Sequence, residues 1–118
     1  MNYKNIYNQL IEKAKERNLT KTNRTNKKYI YCEYHHIKPR KLFPELEFDK
    51  SNIVGLTAKE HFIAHKLLAK IYKKDFGKYS YQYNAMITAL ILMSSENKGG
   101  IRISSRTYSK IRTEFSYI

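Results

Sequence analysis

All the histidines of this 118-residue chain lie between positions 35 and 65. His35 and His36 are adjacent, and His61 and His65 stand four positions apart. If the second pair lies in a helix, both imidazoles project from one face and can bind a single metal ion. A helical pair alone is a weak signal, because such pairs also occur on ordinary helix surfaces. Whether the histidines form a metal site must therefore be judged from the secondary structure predicted around them.

Two predicted strands and a capped helix surround the histidines. Residues 29–37 are rich in tyrosine and isoleucine, which is typical of a strand. After a mixed-charge segment with two prolines, residues 52–56 predict a second short strand. Thr57 and Glu60 then form a capping-box signature, which predicts a helix as far as residue 73 or 74. The spaced histidine pair falls inside that helix.

Helices are expected on both sides of this central unit. Residues 3–17 show an amphipathic helical pattern. Residues 18–28 are polar and basic, and they form either a solvated linker or an arm that touches phosphates. Residues 81–93 predict an apolar helix, residues 94–100 a turn-rich break, and residues 105–115 a last short helix. The predicted order is helix, strand, loop, strand, helix, helix, helix.

The charge of the chain points to a polyanionic partner. Lys and Arg number 23 against 10 Asp and Glu, which gives a formal net charge of +13. Charge alone does not separate DNA from RNA. A membrane surface is less favoured, because the basic residues are scattered and do not gather on one amphipathic helix. The hydrophobic fraction of 42% is enough for a core and argues against a disordered basic tail.

The single cysteine and the distribution of apolar residues indicate the compartment. Cys32 alone forms no internal disulfide and no multi-cysteine zinc site, so the chain suits a reducing environment. The N-terminal residues lack the apolar stretch of a signal peptide, and the longest apolar stretch, near residues 85–93, is about half a bilayer span. The expected location is the cytoplasm.

Three segments of the sequence form a recognisable pattern: Glu33-Tyr34-His35-His36-Ile37-Lys38-Pro39-Arg40, Asn52-Ile53-Val54-Gly55-Leu56-Thr57 and Glu60-His61-Phe62-Ile63-Ala64-His65. Their order, spacing and predicted secondary structure together resemble the HNH endonucleases, also called His-Me finger or ββα-metal nucleases. The wider sequence is similar to the phage-encoded HNH homing nucleases, and the ligand spacing is similar to that of the colicin-type DNases.

The resemblance implies a ββα-metal fold around one divalent ion. It assigns His35, on the first strand, and the helical pair His61 and His65 as metal ligands. It assigns His36 as the general base and Asn52 as the residue that braces the loop carrying that base. A three-imidazole site suits Zn, Ni or Mn, whereas Mg prefers oxygen ligands; the identity of the ion stays open among these four.

Glu33 matches an acidic position of the colicin-type branch, and it is the third candidate catalytic residue beside the base and the bracing asparagine. The alternative is a solvated or salt-bridged side chain. Neighbouring residues on a regular strand point to opposite faces, so His35 and His36 would be directed apart. If His35 binds metal, His36 needs a local twist or loop to reach the same phosphate.

Two groups of cations are candidates for DNA contact. Lys38, Arg40 and Lys41 directly follow the histidine pair and are well placed for phosphates beside the cut. Arg106 and Lys110 share one face of the predicted last helix, which is equally compatible with a solvated basic face. Neither group indicates base recognition, because phosphate contacts carry no sequence information.

The predicted fold class is α+β, a ββα-metal core flanked by helices. A single HNH domain over residues 1–118 would comprise an N-terminal helix and basic arm (1–28), the core (29–74) and C-terminal helices (79–118). The expected function is metal-dependent hydrolysis of DNA, with a duplex as the expected substrate. The alternatives are a toxin-type DNase and a non-catalytic, metal-stabilised binder of nucleic acid. The target sequence, nicking against double-strand cleavage, and the oligomeric state stay open.

Overall fold

A computed structural model describes residues 2–21 and 31–96 of the chain. Within these residues the fold is a small α+β arrangement of two antiparallel strands and three helices, which is compatible with a ββα core. The elements in chain order are α1 (Tyr3–Arg17), β1 (Glu33–His36), β2 (Ile53–Leu56), α2 (Ala58–Phe76) and α3 (Tyr81–Glu96), with single 3-10 turns at Pro44–Leu46 and Lys50–Asn52 between the strands.

Helix α1 has the bounds that its amphipathic pattern predicts. The Asn2 side chain accepts a hydrogen bond from the backbone N–H of Asn5, so an otherwise unpaired donor of the first turn is satisfied. The helix ends at Arg17 and is capped by Asn18, whose φ of 50° is left-handed and whose N–H donates to the Ala14 carbonyl. Its buried side consists of Tyr7, Ile11 and Ala14.

The hairpin is shorter than the sequence predicts. Strands β1 and β2 pair antiparallel over four residues each, with His35 opposite Val54 and His36 opposite Ile53. The predicted strand 29–37 was too long: Tyr31, Cys32 and residue 37 lie outside the ladder, because β2 offers only four partners, and residues 29 and 30 lie outside the described residues. The prediction that Asn52 begins the second strand was wrong. Asn52 is the last residue of the second 3-10 turn, and β2 begins at Ile53.

Helix α2 follows β2 directly and begins with the predicted capping box. The backbone N–H of Glu60 donates to Thr57 Oγ1 over 3.2 Å, and the backbone N–H of Thr57 donates to Glu60 Oε1 over 2.9 Å. The helix ends at Phe76, slightly later than expected, and Gly77 follows with a φ of 92°. Such a φ is costly for residues other than glycine.

Helix α3 is longer than predicted. It continues to Glu96, so the predicted break at residues 94–100 was wrong for its first three positions, and the predicted helix 105–115 lies outside the described residues. Its buried residues, Tyr83, Met86, Ile87 and Leu90, pack in one core with the inner faces of α1, α2 and β2. None of the described helices is both long and apolar enough to span a membrane.

An ion pair joins the end of α1 to the beginning of α2. Arg17 Nη2 and Nη1 lie 2.7 Å and 3.0 Å from the two carboxylate oxygens of Glu60, and Nη2 also donates to the Gly55 carbonyl over 3.4 Å. The hydrogen bonds from the Arg17 side chain hold the pKa of Glu60 below its ordinary value. The paired guanidinium and carboxylate therefore fix α1 against both β2 and α2.

Gly55 allows the chain after α1 to lie directly on β2. A Cβ atom at this position would collide with the backbone oxygen of Leu19. We expect Gly55→Ala to lower the free energy of unfolding by about 1–3 kcal/mol, the usual cost of forcing extra volume into a packed site. Urea unfolding of both proteins measures the change.

The collision at Gly55 is with backbone, so truncating the neighbouring side chain should not relieve it. The control is to introduce Gly55→Ala into the Leu19→Ala variant. There it should lower the free energy of unfolding by the same amount as it does in the wild type. An unchanged unfolding free energy in Gly55→Ala would contradict the close approach of Leu19 to β2.

Candidate metal centre

Three of the four histidines meet where β1 packs against α2. The side chains of β1 alternate, so that Glu33 and His35 point inward while Tyr34 is exposed. His61 and His65 stand one turn apart on α2 and face the same space. One nitrogen from each of the three rings lies within 4.8 Å of the other two. The three predicted ligands are therefore brought together.

The separations within this histidine cluster fit a shared ion. Nε2 of His61 and Nε2 of His65 are 3.2 Å apart. Two ligands of a tetrahedral ion with nitrogen distances of about 2.0–2.1 Å would be roughly 3.3 Å apart. The ring of His35 lies 5.1 Å from both other rings, and those two rings are 4.9 Å apart, measured between centroids. The three ring centres therefore form a nearly equilateral triangle.

The protonation of the histidine cluster also fits a metal. Burial lowers the pKa of His35 well below its ordinary value, and the adjacent imidazoles of His65, His61 and His36 lower it further. Burial and the imidazoles of His61 and His36 lower the pKa of His65 to about 3. Both rings are neutral at cellular pH, as a metal ligand must be. The buried Nδ1 atoms of His35 and His65 have no hydrogen-bond partner among the described residues.

Glu33 contacts one of the clustered histidines. The Nδ1–H group of His61 donates to Glu33 Oε1 over 2.8 Å, and the Tyr31 hydroxyl group donates to Glu33 Oε2 over 2.9 Å. With Nδ1 occupied, His61 directs Nε2 into the cluster. A carboxylate behind an imidazole is a common way to orient a metal-binding histidine. The structure thus places Glu33 against a candidate ligand, where it can orient the ring.

His36 ends β1 and has a different environment. Its Nε2–H group donates to the backbone carbonyl of Glu47 over 2.9 Å, since a carbonyl oxygen can only accept. In the neutral ring Nδ1 is then the atom with a free lone pair. The ring is half-buried, and it is close enough to His35 and His65 to affect their pKa values. His36 is the last residue of β1, and bends follow it at residues 37 and 38.

Asn52 holds the residues that follow His36. Its Oδ1 atom accepts from the backbone N–H of Lys38 over 2.8 Å, and its Nδ2 group donates to the Lys38 carbonyl over 3.0 Å. Its own carbonyl accepts from the N–H of Ile37 over 2.8 Å. The side chain is 6% exposed, so these bonds are shielded from water. Asn52 therefore fixes both residues after the strand.

The described cations beside the histidines lie at the surface. Lys38, Arg40 and Lys41 are all exposed. Arg40 Nη1 lies 3.3 Å from a carboxylate oxygen of Glu47, and the Lys38 ammonium group lies 5.6 Å from the ring centre of Phe43. The other predicted DNA contacts, Arg106 and Lys110, lie outside the described residues.

Comparison with known proteins gives a consistent set of relatives. The chain is 39% identical over 124 residues to probable mobile endonuclease D of Enterobacteria phage T4, covering 100% of this chain and 42% of that protein. It is 39% identical over 116 residues to probable mobile endonuclease B of the same phage, covering 98% of this chain and 38% of that protein. The chain is similar to phage mobile endonucleases. Probable mobile endonuclease E is 47% identical over 72 residues, which are 61% of this chain and 44% of that protein.

The similarity to the mobile endonucleases has a defined extent. The chain spans about two fifths of the length of these three relatives, between 38% and 44%. No protein-family model and no solved structure matches the chain significantly.

Three contacts of the candidate site were not predicted from the sequence. Tyr7 places its hydroxyl oxygen 2.8 Å from His35 Nε2, although its spacing in α1 indicated only a core residue. Tyr31 contacts Glu33, and its place two residues earlier in the same extended segment was a usable signal. The Glu47 carbonyl contacts His36 through backbone atoms, for which no side-chain pattern exists.

Proposed function

We propose that the chain is a metal-dependent DNA endonuclease of the HNH type, similar in role to phage homing nucleases and acting on duplex DNA in the cytoplasm of the infected cell. The observation that carries the proposal is the convergence of three imidazoles beside His36, whose Nε2–H group is held by the Glu47 carbonyl so that Nδ1 can accept a proton. The similarity to mobile endonucleases favours nuclease activity over a purely structural metal site.

The histidine cluster is the proposed metal site. His35, His61 and His65 would hold the ion, and their nitrogen donors favour Zn, Ni or Mn over Mg. An ion bound there would supply a Lewis acid that stabilises negative charge on the scissile phosphate and on the leaving oxygen. Glu33 would act through His61, since its carboxylate holds Nδ1 of that ring.

His36 is the proposed general base. Its Nδ1 atom would remove a proton from water while the water oxygen forms a bond to phosphorus and the bond from phosphorus to the 3′ oxygen breaks. The resemblance to the HNH nucleases implies products with 5′-phosphate and 3′-hydroxyl ends. The Glu47 carbonyl keeps hydrogen on Nε2, and Asn52 holds the backbone after His36, so the base has a fixed tautomer and a fixed position.

The exposed cations are proposed to bind the DNA backbone. Lys38, Arg40 and Lys41 follow His36 in the chain and would contact phosphates near the cut, with Arg106 and Lys110 as further candidates. The Arg40–Glu47 ion pair would open or rearrange when Arg40 binds a phosphate. These contacts would place the duplex without selecting a sequence.

Cleavage of supercoiled plasmid tests the proposed function directly. We expect conversion to nicked or linear DNA when Mn, Ni, Zn or Mg is added, and no conversion in EDTA. A radiolabelled RNA hairpin under the same conditions is the matched substrate control, and it should be cut more slowly. Binding of DNA without cleavage under every metal would contradict the proposal and favour a non-catalytic binder.

A further inference from the structure

The hydroxyl group of Tyr7 lies between a candidate metal ligand and a backbone carbonyl. Its oxygen is 2.8 Å from His35 Nε2 and 2.7 Å from the carbonyl oxygen of Ile37. A carbonyl oxygen can only accept, so the single hydroxyl hydrogen is directed at Ile37. The tyrosine oxygen must then accept from His35. The direction of both hydrogen bonds follows from the partners alone.

These directions determine where His35 carries its hydrogen. A neutral imidazole has one N–H group, and the bond to Tyr7 requires that group at Nε2. The other nitrogen, Nδ1, is buried and has no hydrogen-bond partner among the described residues. His35 is 1% exposed, so bulk water cannot replace the tyrosine as acceptor. One phenol therefore selects between the two tautomers of this ring.

We propose that Tyr7 is a positioning residue of the metal centre, which holds His35 in the Nε2–H tautomer so that Nδ1 is the atom offered to the ion. This inference rests on the proposed function for the role of the ion, whereas the tautomer can be tested without any metal. His61 has the opposite arrangement, since its Nδ1 contacts Glu33 and its Nε2 faces His65. The two rings would thus bind through different nitrogens, each selected by one partner.

The same contact makes α1 part of the site. Tyr7 belongs to a helix that precedes β1, and 28 positions separate it from His35. Ile11 and Ala14 lie on the same buried side of α1 as Tyr7 and pack in the core. Their packing fixes the position of the Tyr7 ring relative to β1. Because Ile37 directly follows His36, the Tyr7 hydroxyl group also fixes the backbone beside the proposed base.

Tyr7→Phe removes the acceptor and keeps the ring. Tyr3→Phe is the matched control, because it deletes a hydroxyl group from a partly buried tyrosine one turn earlier in α1. We would record the imidazole nitrogen shifts of the metal-free proteins by long-range ¹⁵N–¹H NMR, and titrate each protein with Co(II) followed by its visible absorption. Thermal unfolding checks that both variants are folded.

In the wild type we expect His35 to carry hydrogen on Nε2. In Tyr7→Phe we expect a mixture of tautomers and Co(II) binding weaker by about 10–100-fold, as is usual when the outer partner of a metal-binding histidine is lost. Tyr3→Phe should match the wild type in both measurements. An Nδ1–H tautomer in the wild type would overturn the inference without any variant, and so would an unchanged tautomer and affinity in Tyr7→Phe.

The two proposals fail in distinguishable ways. If the wild type binds no Co(II) but Tyr7→Phe changes the His35 tautomer, the metal site of the proposed function is wrong and the control of the ring by Tyr7 stands. If the wild type binds Co(II) and Tyr7→Phe leaves the tautomer unchanged, the metal site stands and the role of Tyr7 is wrong.

Discussion

Replacement of His36 by alanine is expected to remove DNA cleavage and to leave metal binding intact. The proposed base acts through Nδ1, and the ring makes its described hydrogen bond to the Glu47 carbonyl. Loss of a positioned general base lowers the rate by about 10²–10⁴-fold. The three nitrogens proposed to hold the ion belong to other residues, so the affinity for metal should change little.

The measurement for His36→Ala pairs plasmid nicking with Co(II) titration of the same preparation. Thr88→Ala, on an exposed position of α3, serves as the matched control and should behave as the wild type in both assays. Loss of metal binding equal to the loss of cleavage would contradict the division of roles between His36 and the histidine cluster. Full cleavage by His36→Ala would contradict its role as the base.

His65→Ala should lose metal binding and cleavage together. It removes one of three nitrogen donors, and its ring is adjacent to both of the others. We expect an affinity at least about 100-fold lower, because even loss of an outer hydrogen-bond partner costs 10–100-fold. The fold should survive without metal, since the core of α1, α2 and α3 is formed by apolar side chains.

Thermal unfolding with and without metal measures this loss independently of activity. At a free metal concentration about 100 times the dissociation constant, the wild type should gain about 2.7 kcal/mol of stability. His65→Ala should gain almost nothing at the same concentration, whereas His36→Ala should gain as much as the wild type. An equal gain in His65→Ala would exclude the histidine cluster as the metal site.

The parts of the structure that local patterns control were predictable from the sequence. The spacing of apolar residues located α1, and the Thr57–Glu60 pair located the start of α2 and hence the common face of His61 and His65. Both signals act within one or two helical turns, so distant residues did not disturb them. The meeting of that face with β1 followed from a family resemblance and not from spacing alone.

The predictions from sequence failed where the local structure depends on residues that are distant in the chain. Strand propensity continues before Glu33, but the ladder ends because β2 is short, and propensity carries no information about the partner's length. Asn52 was predicted in the strand, yet its bonds to the Lys38 backbone hold it in a turn. The contact of Tyr7 with His35 joins residues far apart in the chain, and nothing near Tyr7 distinguishes it from an ordinary core tyrosine.

The contact of His35 with α1 bears on how the proposed metal centre could be transferred to another protein. A fragment that begins at β1 would contain all three clustered imidazoles and the proposed base. It would lack the phenol that contacts His35 and the Arg17 side chain that pairs with Glu60 at the start of α2. A host scaffold would have to supply both groups. Among the described residues, the smallest segment that includes these contacts therefore begins with α1. A graft limited to the hairpin and α2 would hold His35 and the start of α2 less rigidly.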